Sequence, residues 1–331
     1  MNACQRVLVT GANGFVGSAL TKVLLCAGFQ VRMTGQVRPC HLEKLGGEWF
    51  PMPDLTVGTD WAPALRDMDA VVHLAGIAHR FNSDAVSDWD LYNQVNHLAT
   101  HSLVTAIREQ SEVKRFLFIS SVRVHGDAIG FPVRPDSPVL PVTPYDHSKA
   151  KAEVAVSSVL SESDVTWTIL RPVVVYGPGN KGNMARLEKL LGHGIPVPVG
   201  LKPNRRSFLF LGNLLSVIQL YLTQANPPSH RIWIVADDEV VSTESLVRSM
   251  AKAMGIPAKV IRLPRWVLVS AARFGDLCHQ LALPAPWNGE VMGKLLGDFY
   301  VDLEPLRMEL GWRPAYTMEE GLRLTFDRNS P

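Results

Sequence analysis

Tyr145 and Lys149 stand four residues apart in Pro144-Tyr-Asp-His-Ser-Lys149, and Gly11-Ala-Asn-Gly14-Phe-Val-Gly17 follows an apolar run near the start of the chain. On a helix, positions i and i+4 share a face, so an ammonium at Lys149 is expected to lower the pKa of the Tyr145 phenol and fit it for proton transfer near neutral pH. The three glycines let the backbone turn tightly, approach a pyrophosphate and pack a helix against a strand. The helix N-terminus adds free amides and the positive end of a dipole. A glycine loop alone is weak evidence, but its place between a strand and a helix makes it a dinucleotide loop. With the phenol it points to nicotinamide redox chemistry, in which the phenol moves the proton that accompanies a hydride.

Such a site needs elements to hold it. Arg6 to Thr10 reads as a buried strand, Ser18 to Ala27 as a helix stopped by Gly28, and Phe29 to Thr34 as a second strand. Ala70 to Ala75 and Arg115 to Ser120 are further apolar strands, separated by a helical stretch near Asp90 to Glu109. This alternation predicts an α/β fold, a Rossmann-type doubly wound parallel sheet whose ligands sit at the carboxyl ends of the strands. After the strand Thr166 to Arg171 the texture becomes rich in Gly, Pro and Asn, and a smaller mixed α/β C-terminal substrate lobe is expected from about Gly177. Leu211 to Leu222 and Arg231 to Val235 read as a helix and strand returning to the sheet. The expected division is therefore 1–176 with 211–235 for the dinucleotide, and 177–210 with 236–331 for the substrate. Trp266 to Leu277 carries Arg273 and Asp276, so it reads as a packed amphipathic helix and not a membrane span.

Composition narrows the class. With 331 residues and 47% hydrophobic content the chain can bury a large core, and a formal net charge of +2 with scattered basic residues gives no reason to expect nucleic acid. The first strand begins by Arg6, which leaves no room for a cleavable leader, so a cytoplasmic location is expected, with no membrane partner. Cys4, Cys26, Cys40 and Cys278 lack paired spacing and read as reduced thiols, with no metal site expected.

Cofactor choice turns on the end of the second strand, Arg32-Met-Thr34-Gly35-Gln36-Val-Arg38. An NAD enzyme usually places a carboxylate there to hold the ribose 2′-hydroxyl, and none is present. Arginines attract a 2′-phosphate, so NADP(H) is preferred, with NAD(H) the alternative if Arg32 and Arg38 are merely solvated. Asp54-Leu55, after a third short strand, is placed by the adenine or in a simple turn.

The Gly-x-x-Gly-x-x-Gly spacing is joined by His73-Leu-Ala-Gly-Ile-Ala-His79, Val95-Asn96, Ser120-Ser121, Tyr145-Asp-His-Ser-Lys149, Leu170-Arg-Pro172, Tyr176-Gly-Pro-Gly179, Asn204-Arg-Arg-Ser-Phe208, Leu310-Gly-Trp-Arg-Pro314 and Glu320-Gly-Leu322. Across almost its whole length the chain resembles the extended short-chain dehydrogenases/reductases, in the nucleotide-sugar epimerase, dehydratase and reductase branch. The resemblance implies that Tyr145 is the catalytic acid/base, Lys149 its ribose-binding partner and Ser121 the hydroxyl on the reacting oxygen. Ser121 is preferred to Ser120 by register: the family pattern Ser-x-x-Val-Tyr-Gly puts His125 in the tyrosine's place before Gly126. Ser120 reads as a strand-end hydroxyl satisfying backbone groups. By the same resemblance the cofactor meets Gly11, Asn13, Gly14, Phe15, Val16, Gly17, Arg38, Asp54, Leu55, Leu74, Ala75, Gly76, Asn96, Tyr145, Lys149 and Pro172. The substrate meets His79, Ser121, Val122, Arg123, Tyr145, Asn183 and Arg206.

Departures from the family pattern narrow the activity. The 4,6-dehydratases of this branch carry Thr-Asp-Glu where this chain has Ser121-Val122-Arg123, and members that epimerise at carbons 3 and 5 need a cysteine and histidine pair. Neither fits. His125 and His147 read as pocket wall or surface. Arg123 is either a substrate contact or half of a structural ion pair, Arg206 is assigned to the diphosphate, and Asn183 either meets the sugar diphosphate or caps a helix over Met184 to Leu191. The expected function is an NADP(H)-dependent 4-ketoreductase of a UDP-4-keto-6-deoxy-N-acetylhexosamine in surface polysaccharide biosynthesis. The alternative is an NAD-dependent UDP-sugar 4-epimerase. A non-catalytic dinucleotide-sensing protein is a remote third. Family resemblance also implies a homodimer packed through helices near Asp90 to Glu109 and Lys149 to Ser161.

Overall fold

The computed structural model describes residues 5–52, 58–78, 85–110, 112–127, 132–180, 182–280, 289, 293 and 296–327. Its strands are β1 (Arg6–Thr10), β2 (Gln30–Thr34), β3 (Glu48–Trp49), β4 (Ala70–His73), β5 (Arg115–Ile119), β6 (Thr166–Pro172), β7 (Val174–Tyr176), β8 (Val197–Gly200), β9 (Arg206–Phe210), β10 (Arg231–Val235), β11 (Val240–Val241) and β12 (Val260–Leu263). Its helices are α1 (Phe15–Cys26), α2 (Cys40–Glu43), α3 (Ala62–Leu65), α4 (Ala85–Tyr92), α5 (Ala99–Gln110), α6 (Pro144–Leu160), α7 (Asn183–Gly192), α8 (Leu211–Thr223), α9 (Thr243–Ala253), α10 (Arg265–Gln280), α11 (Glu304–Leu310) and α12 (Met318–Phe326).

Seven strands form one parallel sheet in the order β10-β6-β5-β4-β1-β2-β3. The chain runs outward from β1 in one direction to β3 and from β4 in the other to β10, so β1 and β4 flank the point where strand order reverses. Helices cover both faces, which is why β4 and β5 are buried at every position and read as unbroken apolar runs. On one face Leu20 and Leu24 of α1 pack with Leu214 and Ile218 of α8 over β1 and β10. On the other, Leu103 and Ile107 of α5 meet Val156 and Leu160 of α6 over β5. Arg115, 2% exposed, donates to the carbonyls of Tyr221, Leu222 and Ala225 and so ties the end of α8 to the sheet.

Two smaller sheets, β11-β9-β7 and β12-β8, carry the remaining strands, with a separate core around Tyr176, Leu187, Phe208, Val247 and Leu322. Asp237 joins this region to the main sheet. Its carboxylate accepts from the Phe210 amide, from Asn213 and from the Tyr176 hydroxyl, and burial raises its pKa to about 6.

Element ends differ from the sequence expectation where the chain turns toward the site. Helix α1 starts at Phe15, not Ser18, because the glycine loop itself delivers the N-cap at Gly14. Strands β4 and β5 stop at His73 and Ile119, ahead of the expected Ala75 and Ser120, and the residues released line the crevice. The helical stretch expected over 90–109 runs from α4 into α5 through a π-helical turn at Asn93–Leu98.

Candidate active site

The glycine loop meets the end of β4 at the reversal point. Gly11 has φ +69, and a Cβ there would lie 2.8 Å from the Ala75 amide nitrogen; a Cβ on Gly17 would overlap the Gly11 carbonyl. Glycine is required at both positions by close backbone approach. Helix α1 has Gly14 as its N-cap, with no side-chain cap and no acidic residue in its first turn, which leaves its N-terminal amides and dipole open to an anion. Beside it, Thr10 Oγ1 accepts from the Leu74 and Ala75 amides at 3.1 Å each and pairs with His73 Nδ1 at 2.7 Å. His73 Nε2 lies 2.9 Å from Thr100 Oγ1, which donates to the Asn96 carbonyl. Burial, with the Lys149 charge behind it, lowers the His73 pKa to about 3, so the ring stays neutral and acts as a hydrogen-bonded spacer.

Asn96 sits in the π-helical turn, fully buried. It accepts from the Ile77 amide at 2.8 Å, donates to the Ile77 carbonyl at 3.0 Å and to Ser148 Oγ at 3.0 Å. The turn thus ties Ile77, just past Gly76, to α6. A Cβ on Gly76 would come within 2.8 Å of Asn96 Oδ1 and 3.6 Å of Lys149 Nζ. Glycine cradle, uncapped helix end and shielded β4 end together fit a dinucleotide.

The residues named for cofactor choice are engaged elsewhere. Arg32 donates to Glu48 at 2.9 Å and to the carbonyls of Ala64 and Arg66, and Arg38 makes a two-pronged pair with Glu43 at 2.9 Å on both prongs. Gly35 faces Asn13: a Cβ at Gly35 would overlap Asn13 Oδ1. Asp54, Leu55 and His79 lie outside the described residues.

Ser121, Tyr145 and Lys149 converge at the ends of β5 and α6. Ser121 caps the 3-10 turn Val122–His125, its Oγ accepting from the Arg123 amide at 3.2 Å. Helix α6 opens with a full capping box, Thr143 with Asp146, and Pro144 at its first position, which places Tyr145 in the first turn facing the crevice. Lys149 Nζ donates to the Ile119 carbonyl at 2.8 Å and lies 4.6 Å from the Phe118 ring centre. Burial lowers its pKa to about 8, against an upward pull from Glu153. The phenol departs from the sequence expectation. Its pKa is pushed up to about 12, not lowered, because burial outweighs the Ser121 hydroxyl and Arg123, while Asp146 and Tyr92 add to the rise.

A second correction concerns Ser120. Its hydroxyl serves no backbone group but donates to Glu153 Oε1 at 2.5 Å. Glu153 in turn holds Arg171 through both carboxylate oxygens, at 2.9 and 2.6 Å. Arg171 NH1 lies 3.0 Å from His125 Nε2, and His125 Nδ1 lies 3.0 Å from the Pro138 carbonyl. His125 is accordingly buried wall, while His147 is half-buried against Trp89, ring centres 5.0 Å apart. Sequence reasoning missed the Ser120–Glu153–Arg171 linkage; the signal was a Glu one helical turn after Lys149 facing a buried-strand Arg.

The remaining expected site residues fall on several elements. Val122 is 4% exposed behind Ser121, and Pro172 ends β6, buried. Arg123 pairs with Asp146 at 3.0 Å and Asp127 at 2.7 Å. Arg206 opens β9 and donates to the Gly297 carbonyl at 3.2 Å; burial and the Arg123 charge both lower its pKa, so the two guanidinium groups share one cleft. Asn183 is the first residue of α7, and the cap is Gly182, which removes the capping role considered for Asn183.

The sequence profile of the NAD dependent epimerase/dehydratase family matches residues 7–236. The chain is 31% identical to UDP-glucose 4-epimerase of Vibrio cholerae over 97% of this chain and 94% of that one. It is 28% identical to N-acetyl-alpha-D-glucosaminyl-diphospho-ditrans,octacis-undecaprenol 4-epimerase of Escherichia coli O157:H7 over 78% of this chain and 76% of the other. Its fold matches that of UDP-glucuronic acid 4-epimerase from Bacillus cereus, solved with UDP-glucuronic acid and NAD, at a TM-score of 0.76 and 22% identity, covering 97% of this chain and 98% of that one. The chain belongs to the NAD dependent epimerase/dehydratase family, in the nucleotide-sugar branch of the extended short-chain dehydrogenases/reductases.

Proposed function

We propose that this protein is a 4-epimerase of a UDP-linked hexose or N-acetylhexosamine that works with NAD. The observation that carries the reading is the convergence of Ser121, Tyr145 and Lys149 beside a dinucleotide cradle, in a chain whose Arg32 and Arg38 are both tied to carboxylates. When bound, the nicotinamide supplies the acceptor and donor of the hydride at carbon 4. Gly11, Gly14 and Gly17 would receive its pyrophosphate, Leu74 to Gly76 would flank it with Asn96 buried behind them, and Lys149 would hold its ribose. Tyr145 takes the proton of the 4-hydroxyl and returns one to the 4-keto oxygen after the sugar has turned over. Ser121 accepts from the Arg123 amide with one of its two Oγ lone pairs and turns its O–H to the reacting oxygen. The Lys149 ammonium offsets the charge that develops on the phenol. Arg206 and Asn183 serve the diphosphate.

A 4-ketoreductase using NADP(H) is the second reading, favoured by the missing carboxylate at Gly35. Either activity suits surface polysaccharide synthesis. A homodimer through α5 and α6 accompanies both readings, consistent with Val154 standing 65% exposed on α6. Purified protein is to be incubated with UDP-glucose and with UDP-N-acetylglucosamine, and separately with UDP-4-keto-6-deoxy-N-acetylglucosamine plus NADPH or NADH. Conversion of a UDP-hexose to its 4-epimer without added cofactor supports the first reading; stoichiometric consumption of reduced cofactor with the keto sugar replaces it with the second.

A further inference from the structure

Arg123 stands where the sequence allows either a substrate contact or an ion pair, and its surroundings decide between them. Its guanidinium grips Asp146 with two nitrogens, NH2 at 3.0 Å and Nε at 3.4 Å, while NH1 reaches Asp127 at 2.7 Å. Asp146 is 1% exposed, follows Tyr145 directly, and accepts from the Thr143 and Val142 amides as the acid of the α6 capping box. The Arg123 main chain meanwhile donates its amide to Ser121 Oγ. One residue therefore touches both the serine side chain and the helix turn that carries the tyrosine. Its backbone orients the serine at the end of β5, and its side chain pins the helix turn that carries the tyrosine.

We propose that Arg123 is a positioning residue that holds Ser121 and Tyr145 in register by clamping Asp146, and that it does not bind the sugar. The proposal rests on the functional reading above only in giving those two hydroxyls a common reacting oxygen. A carboxylate and a guanidinium matched through two bonds fix orientation as well as distance, which a single ammonium cannot reproduce. Loss of the clamp frees the first turn of α6 to shift against the 3-10 turn, and displacements of about 1 Å near reacting atoms cost on the order of a hundredfold in rate.

The test uses Arg123→Met and Arg123→Lys in the cofactor-loaded protein, with steady-state kinetics on the UDP-hexose and crystal structures of both variants. In Arg123→Met, kcat should fall by about tenfold to a hundredfold with KM within about threefold of the parent, because the interaction lost is one that aligns the reacting groups. Its crystal structure should show the Ser121 and Tyr145 hydroxyls moved apart. Arg123→Lys should recover part of kcat, since one ammonium reaches one Asp146 oxygen. A KM raised tenfold or more with kcat intact, or a Ser121–Tyr145 geometry identical to the parent, overturns the proposal and returns Arg123 to the substrate. If the sugar reading itself is wrong, the parent protein is inactive too, and the crystal structures still decide the role of Arg123.

Discussion

At Tyr145 the protein holds a phenol that stays protonated at neutral pH and is reluctant to give its proton up. Burial takes its pKa to about 12, so proton removal must draw on positive charge that arrives with the loaded site and on Lys149, whose ammonium is mostly intact at neutral pH. Tyr145→Phe keeps the ring and removes the proton. We expect kcat to drop by roughly 10² to 10⁴ with dinucleotide affinity, measured by calorimetry, nearly unchanged. A variant with parental turnover would remove Tyr145 from the chemistry. Lys149 makes a second, purely thermodynamic claim. Its folded pKa of about 8 lies below the usual 10.5, so between those values the folded chain binds fewer protons than the unfolded one. Stability must then rise with pH through that window, and below it the folded state carries the cost of a buried charge. Denaturant unfolding at pH 7.5 and 9.5 should show this gain in the parent and a smaller gain in Lys149→Met. An equal gain in both would show that the ammonium is better solvated than its burial implies.

Among the elements, α6 gathers more of the site than its signature suggests. Tyr145 and Lys149 were legible because i, i+4 spacing is local, and so was the strand-loop-helix at Gly11 to Gly17. What the sequence hid is made of contacts between distant segments. Ser120 on the β5 end, Glu153 on α6 and Arg171 on β6 meet only because β5 and β6 are neighbours and α6 packs across both. The π-helical turn was equally hidden, since Asn93–Leu98 has ordinary helical composition and its extra residue shows only when Asn96 has to reach Ile77 and Ser148. The buried pair has a measurable consequence. Glu153→Ala strands the Arg171 guanidinium, 3% exposed, and should destabilise the fold by about 3–5 kcal/mol in chemical denaturation. It also unties Ser120, next to Ser121. A loss below about 1 kcal/mol would match an exposed pair and contradict the burial.

For the molecule as a whole, the order of the seven-stranded sheet puts the glycine loop where strand order reverses between β1 and β4, next to the β5 end that carries Ser121, and a site at the carboxyl ends of the strands follows from strand and helix alternation. The small sheets were less legible, because β7, β9 and β11 are two to five residues long and depend on partners far along the chain. Cofactor choice rests on an absence. No carboxylate stands at Gly35, a Cβ there would overlap Asn13 Oδ1, and the nearby arginines are committed to Glu43 and Glu48. Exposed ion pairs are weak, so Arg38 alone could be recruited by a phosphate, but only by giving up Glu43. The 4-epimerase cycle proposed above is redox-neutral and has no use for cofactor exchange. We therefore expect the protein purified without added nucleotide to release NAD on acid denaturation, detected by chromatography, at a substantial fraction of one per chain. Arg38→Ala should leave that occupancy unchanged, since the arginine is bound to Glu43. Release of NADP instead, or an empty protein that prefers NADPH and loses that preference in Arg38→Ala, would restore the arginine to the cofactor and move the assignment to the reductase.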